Sequence, residues 1–513
     1  MSTAETATDP PVGEGGLTVW HVTVLLILTF VTILYSMTVT IANVALPDIR
    51  GALSATQDQI TWIVTANIVA TAVATPMTGW LASRFGVRPV LLVAVAGFTL
   101  SSVLCGAATS LMALVVFRVG QGLFGAAMVP VSQAFLMRNF PRHLHNASMS
   151  IWAMGAVLGP IIAPTVGGYL SEAYGWRWVF FMIVPFGMIA FLGVALVIRE
   201  SVELVQTRLD WTGFLLLSLG ITALQLLMDR GERNGWLDST ETWVETIIVA
   251  GALYMFIVHT FTARNSFVNP RLFLDRNYNL GLILVLSFGM LNFTPMVLFP
   301  PLLQELRGYP QSIIGLLLAA RGVGTLIAFT SMYFLGRLDP RIPMTFGFVL
   351  QGLSGFYMAQ FDINLTTWGV GWTGFVQGVG VGFAWIPLSV IAFATLKPET
   401  MNQGAAFFHL LRNIGSSIYI SLSVVVLLHT AKIHYAISTE WVSIYNKLFD
   451  MPFVAGLWNV SSTTGLAVLS GEIQRQGLMI GYINAFYLFA ATSFLTVPFI
   501  FFLRVPKKKK PVG

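Results

Sequence analysis

The stretch WVFFMIVPFGMIAFLGVALVI, residues 178–198, decides the architecture: it holds 21 residues without a charge, closed at its ends by Arg177 and Arg199. A helix rises about 1.5 Å per residue, so the run spans the roughly 30 Å of bilayer hydrocarbon. In that solvent the backbone must satisfy its own polar groups, which makes the run a helix. Thirteen more apolar runs fill most of the 513 residues. They fall at 20–43, 60–81, 89–108, 111–135 and 147–170 before this stretch, and at 211–228, 243–261, 280–303, 313–335, 343–361, 368–394, 404–428 and 478–503 after it. The expected fold is an all-α polytopic membrane protein with 14 transmembrane helices. Six helices form a bundle over 19–200, two are inserted over 201–279, and six form a second bundle over 280–503 that includes an external loop at 429–477. Tails at 1–18 and 504–513 flank them.

Composition agrees. Apolar residues make up 56% of the chain and charged residues 10%, against about 25% charged in soluble proteins. Cys105 is the only cysteine, so no internal disulfide is expected. The first 16 residues carry Glu5, Asp9 and Glu14 but no Lys or Arg. That is unlike a signal peptide, and the first apolar run is too long for one. It is expected to be retained as a spanning helix.

Lys and Arg set the orientation. The side that holds both termini carries 17 of them and the opposite side 8, with Arg118, Arg321 and Arg412 inside spans. Both termini are therefore expected in the cytoplasm, with Lys507–Lys510 anchoring the tail beside the lipid headgroups. Basic residues are scattered over loops rather than striped on one soluble face, so no nucleic acid is expected. In the external loop, Trp441, Ile444, Tyr445, Leu448 and Phe449 recur at helical spacing. This predicts an amphipathic helix that lies along the outer interface or docks a partner.

Charge left inside a span marks a pathway or a structural bond. Arg118 stands about seven residues into the fourth span among Gln121, Gly122, Gly125, Ala126 and Ala127. It either faces a wet cavity or bonds to backbone carbonyls. Arg321, beside Gly322 and Gly324, carries the same alternatives of path or packing. His409 lies one turn before Arg412, so both can face one cavity. Thr38, Asn43 and Gln377 are uncharged groups for substrate contacts or interhelical bonds. Aromatic and Met residues such as Phe288, Met290, Phe293, Met296, Phe383 and Trp385 suit varied apolar ligands or simply face lipid. None of the 22 acidic residues falls near the middle of a span; the closest are Asp229 and Glu305. With His409 they are the candidate proton carriers, since antiport needs a group that changes protonation. No zinc-protease motif and no acid–histidine cluster occurs within a span, so no enzyme activity, cofactor or metal is expected.

Two segments read as moving parts. Gly155, Gly159, Pro160, Ala163, Pro164, Gly167 and Gly168 place small residues and prolines along the fifth span. The pattern suits close helix packing, or a kinked hinge between bundles. Gly79 to Arg88, with Arg84 and Gly86, makes a tight basic turn, either a latch or an anchor. A faint repeat supports two related bundles: Gln121-Gly122 with Gly125, Pro130 and Ser132 in span four, and Gln377-Gly378 with Gly380, Gly382, Pro387 and Ser389 in span twelve.

Together these residues resemble the major facilitator superfamily, in its fourteen-helix drug:proton antiporter group of the EmrB type. The turn at 79–88 resembles the family's loop motif, Arg118 to Ala127 its span-four arginine motif, and Gly155 to Gly168 its antiporter motif. Thr40 to Pro47, Trp176 to Phe181, Met228 to Gly231 and Arg412 to Gly415 are further matches. The resemblance implies a twelve-helix core plus two helices in a bacterial inner membrane. It implies alternating access and export of amphipathic or lipophilic compounds against protons. It also implies a periplasmic adaptor and an outer-membrane channel as partners. Two positions depart from the pattern: Thr38 stands where an Asp is usual, and Ser83 takes the loop's acidic position. The first leaves proton coupling without its usual carboxylate and favours, as the alternative cargo, an acidic or neutral metabolite, lipid or siderophore.

Overall fold

The computed structural model describes residues 18–504 except 56, 200–208, 232–233, 264–265, 336–337, 444 and 452–457. The tail through residue 17 and Lys507–Lys510 lie outside the described residues, as do the side chains of Asn43, Pro164 and Gly168.

Every long element is a helix. In chain order they are α1 Val19–Ala52, α2 Gln57–Phe85, α3 Val87–Gly106, α4 Leu111–Gly125, α5 Met128–Asn139, α6 His145–Tyr174, α7 Arg177–Phe181 and α8 Ile183–Val197. There follow α9 Trp211–Arg230, α10 Thr240–Thr262, α11 Arg276–Pro301, α12 Gln311–Leu335, α13 Arg341–Met358, α14 Thr367–Phe393, α15 Met401–Thr439 and α16 Thr463–Ile500. Two spans are broken where a proline removes a backbone donor. The gap between α4 and α5 lies one turn before Pro130, and that between α7 and α8 before Pro185. Side chains close many N-termini: Ser110, Asp210, Asp275, Thr366 and Ser462 each accept from an amide of the first turn.

Among the described residues, 12 segments are long and apolar enough to cross a membrane, with α4–α5 and α7–α8 each counted as one. The chain is a multi-pass membrane protein. Two further long helices, α2 and α13, pack among these segments but carry more polar and small residues. Asn67, Thr71, Thr75 and Thr78 are buried in α2, and Gln351 and Ser354 in α13.

The packing repeats. In the first half α1 packs on α6 and α8, α4 on α2 and α3, and α3 on α8. In the second half α11 packs on α15 and α16, α14 on α12 and α13, and α13 on α16. The halves meet through α6 against α12 and α2 against α15. The α9–α10 pair packs on itself and leans on both α2 and α15.

Both described ends lie on one face, hereafter the terminal face. There Trp20 Nε1 donates to the Val197 carbonyl at 3.3 Å, and Asn277 Nδ2 to the Arg504 carbonyl at 2.7 Å. Near this face the apolar interior is one body drawn from both halves, including Phe135, Met149, Trp152, Phe393 and Phe408. Toward the opposite face it divides. One cluster belongs to the first half (Met37, Ile41, Ile63, Leu114, Phe180) and another to the second (Leu298, Leu302, Met358, Leu427, Phe486). The apolar core is thus shared by both halves near the terminal face and separate in each half toward the other.

The external loop differs from expectation. α15 and α16 run 11 and 15 residues beyond the expected span ends at 428 and 478, so much of 429–477 is helix. The amphipathic helix expected around Trp441 to Phe449 is not formed. Only a 3₁₀ turn at Lys447–Asp450 is present, and Trp441, Tyr445 and Leu448 are exposed; Ile444 lies outside the described residues. Ser443 and Asn446 explain this. Their side chains accept from the amides of Tyr445 and Leu448, giving the backbone an alternative to helix.

Candidate functional site

The interior of each half is organised on a Gln-Gly pair. In the first, Thr71 of α2 donates to the Gly122 carbonyl of α4 at 3.2 Å. In the second, Thr325 of α12 donates to the Gly378 carbonyl of α14 at 3.0 Å. A Cβ on Gly122 would collide with the Asn67 carbonyl, and one on Gly378 with the Arg321 carbonyl. Both glycines thus permit a close helix crossing.

A guanidinium serves each glutamine. Arg118 is 1% exposed; its Nη1 donates to Gln121 Oε1 at 2.5 Å and its Nε to the Ile63 carbonyl at 3.3 Å. Gln121 Nε2 in turn donates to Ser102 Oγ at 2.7 Å. In the second half Arg321 Nε donates to Gln377 Oε1 at 2.5 Å, and its Nη2 to both the carbonyl and Oδ1 of Asn292 at 2.6 Å. Met296 Sδ accepts from its Nη1 at 3.0 Å. The two guanidiniums come from non-equivalent helices: Arg321 stands where the repeat has Asn67, not where it has Arg118. All of these acceptors are neutral.

His409 and Arg412 share α15 but differ in situation. His409, 2% exposed, shares a 2.5 Å hydrogen bond between its Nε2 and Oε1 of Gln133 on α5, across the joint between halves. Its Nδ1 and Gln133 Nε2 are buried without a hydrogen-bond partner among the described residues. Trp152 of α6 meets the same ring edge-on at 6.5 Å. Arg412 is partly exposed, lies 5.5 Å over the Trp385 ring and, among the described residues, donates only to Asn413 Oδ1, from Nε at 3.4 Å and Nη2 at 3.2 Å.

Other expected site residues lie apart. The Thr38 hydroxyl donates to the Leu34 carbonyl of its own helix at 3.0 Å. Asp229 is exposed at the end of α9 and accepts from Thr65 of α2 at 2.7 Å; Arg230 pairs instead with Glu241 at 3.1 Å. Glu305 is exposed in a π-helical turn after Pro300 and Pro301.

The motif glycines of α6 face α1 within the same half. A Cβ on Gly155 would lie 2.7 Å from the Thr29 carbonyl oxygen, one on Gly159 2.6 Å from Met37 N, and one on Gly167 2.6 Å from Ile41 Cγ1. α6 is one continuous helix through Pro160, and Val157 and Ile161 reach Gly322 of α12. At the terminal face a Cβ on Gly79 would lie 2.8 Å from Gln403 Cα and 2.9 Å from the Asn402 carbonyl oxygen of α15. Gly86 has φ +93°, the left-handed value the turn needs, and Arg88 Nη2 donates to the Ala195 carbonyl at 2.7 Å. Arg84 ends α2 beside this turn.

Sequence reasoning missed Gln133, Asn292 and Glu245. Glu245 is a buried carboxylate in α10 whose Oε2 has no hydrogen-bond partner among the described residues. Its only sequence signal was an acid two residues inside an apolar run.

Residues 28–419 match the family model described as Major Facilitator Superfamily. The chain is 31% identical to the multidrug export protein EmrB of Escherichia coli, over 96% of each chain. It is 32% identical to EmrB of Haemophilus influenzae, over 97% of each. The solved proton:xylose symporter XylE shares the fold at a TM-score of 0.63 and 11% identity, covering 94% of this chain and 95% of that one. Twelve-segment helical packing in two repeated halves, the motif order and these likenesses agree, and this chain belongs to the major facilitator superfamily.

Proposed function

We propose that this protein is a secondary active exporter of amphipathic and lipophilic drug-like compounds, working by alternating access and driven by proton antiport. The observation that carries this is the division of the apolar core. The halves share one apolar body near the terminal face and keep separate ones toward the other, the arrangement expected of a carrier closed on one side. In this reading all 14 long helical segments cross the inner membrane, with α2 and α13 among them and both termini cytoplasmic. Helices α1–α8 and α11–α16 form the two bundles, and α9–α10 is the insertion. The described conformation is then outward-open. Its closed face is held by Gly79 against α15 and by His409 with Gln133, and the turn around Arg84, Gly86 and Arg88 is its latch.

Arg118, Gln121, Arg321 and Gln377 shape the two walls of the path, with Thr38 and Asn43 on α1. Because Arg118 and Arg321 are engaged by neutral acceptors, their part is to hold the walls; Arg412 is the group free to meet cargo. Asp229, Glu305 and His409 are the proton candidates. Asp229 and Glu305 are reachable from the open side, whereas His409 is buried at the seal. The projecting ends of α15 and α16, with the exposed Trp441 and Tyr445, are the surface for a periplasmic adaptor leading to an outer-membrane channel. A second reading keeps the fold and narrows the cargo to an acidic or neutral metabolite, lipid or siderophore. The uncompensated Arg412 and Thr38 in span one favour it.

The test is flux in proteoliposomes of acidic, neutral and cationic amphipaths, with and without a pH gradient. Export of several chemotypes that stops when the gradient is collapsed is expected. Flux indifferent to the gradient defeats proton coupling, and movement of one compound alone establishes the second reading.

A further inference from the structure

We propose that Arg412 is an anion anchor between the two halves, giving the carrier a preference for amphipaths that bear a single carboxylate. This rests on the export reading above and names the class of compound that reading would favour.

The three guanidiniums of the interior are not equivalent. Arg118 and Arg321 are held by several short bonds to acceptors fixed on neighbouring helices. Arg412 has only two long bonds, both to the same Asn413 oxygen, and its Nη1 makes no hydrogen bond among the described residues. None of the ion pairs among the described residues involves it. The groups around it carry no negative charge: Trp385 lies beneath the guanidinium, Phe288 is tilted against Trp385 at a centroid distance of 4.9 Å, and Tyr35 of α1 and His409 are within electrostatic range. One turn nearer the terminal face, His409 and Gln133 close the joint. Arg412 therefore stands one turn beyond this joint, on the side where the apolar core divides between the halves.

An unpaired charge in a low-dielectric site is costly, and the cost is relieved by a partner of opposite sign. The planar guanidinium matches a carboxylate with two parallel hydrogen bonds. The protein supplies no such carboxylate here, and an arriving one completes the site. Trp385 and Phe288, both buried, back the guanidinium from beneath, so the charge itself is the group left for the cargo. A cation placed there meets like charge, and a neutral amphipath gains no such ion pair.

Three fluorescent probes with one aromatic body test this: 1-pyrenebutyrate, 1-pyrenebutanol and 1-pyrenebutylamine. Initial export rates and competition constants are measured in proteoliposomes at neutral pH. The acid is expected to be favoured over the alcohol about tenfold or more, as a charge-assisted hydrogen bond in a part-buried site provides, with the amine poorest. Arg412→Gln should bring the acid-to-alcohol ratio to within about twofold of one, and Arg412→Lys should keep part of the preference. A wild type without preference overturns the proposal, and so does an Arg412→Gln variant that slows all three probes while keeping their ratio. If the wild type moves none of the three, the export reading falls and takes this inference with it. If it moves all three equally, only this inference falls.

Discussion

Substituting Gly79 by alanine should tip the carrier toward its other conformation. A Cβ at this position would sit 2.8 Å from Gln403 Cα and 2.9 Å from the Asn402 carbonyl oxygen, where ordinary contact begins at 3.4 Å. Both neighbours are backbone atoms of α15, so no side chain can swing aside, and α2 and α15 must separate by roughly 0.6 Å. Overpacking of that kind costs about 1–3 kcal/mol. The cost falls only on the state with the terminal face closed. The equilibrium should therefore move toward an open terminal face by about 5- to 150-fold. Nitroxide labels at His143→Cys and Leu338→Cys, both exposed on that face and in different halves, would report the separation by pulsed electron resonance. Cys105, the one native thiol, is replaced by alanine in this background. Gly251→Ala is the control, since nothing lies within 4 Å of its Cβ position. A Gly79→Ala distance distribution identical to that of the parent and the control would refute the claim that this crossing seals the face.

Three further outcomes follow from the same geometry. Arg118→Leu leaves Gln121 Oε1 without its donor, while the Ile63 carbonyl keeps its bond within α2. The substitution should cost about 1–3 kcal/mol for the orphaned group, seen as a lowered midpoint in thermal unfolding, with transport lost. Gly378→Ala should lower that midpoint through its clash with the Arg321 carbonyl and should reduce export, whereas Gly315→Ala, with open space around it, should do neither. At the terminal face, burial pushes the Asp210 carboxyl up, but the amides of Gly213 and Phe267 and the His259 ring outweigh it and hold the group below the usual carboxylate value. A folded-state value lowered in this way stabilises fully above the ordinary carboxylate range, near ~3.9, and the benefit is lost as pH falls through the folded value. Thermal midpoints in detergent should hold from neutral pH and drop in that acid window, and Asp210→Asn should flatten the drop.

Most of the helices were legible because hydrocarbon leaves the backbone no alternative: an uncharged run such as 178–198 has one solution. The ends of α15 and α16 were not legible, since beyond the bilayer a helix needs no continuous apolar run, and residues such as Lys432, Glu472 and Arg475 read as loop. The Trp441 periodicity misled because spacing cannot register that Ser443 and Asn446 offer the backbone other bonds. In the site, Arg118 and Arg321 were visible as charges out of place. The bonds of Arg321 to Asn292 and Met296 were not, because a neutral side chain in an apolar run gives no sign of which helix it faces. The same holds for Gln133, whose bond to His409 spans 276 positions of sequence. The small residues of α6 announced close packing, but only the structure shows that α1 receives it.

The exchanged arginines bear on ancestry. In both halves a glutamine on the same helix is met by a cation, yet one cation is carried by the glutamine's own helix and the other by the helix facing it. Duplication alone would have copied the bearer along with the address. What has been kept across the two copies is the location of the positive charge, while the residue delivering it has changed sides, so an engineer could move it again, from Arg118 to Asn67, without redrawing the scaffold.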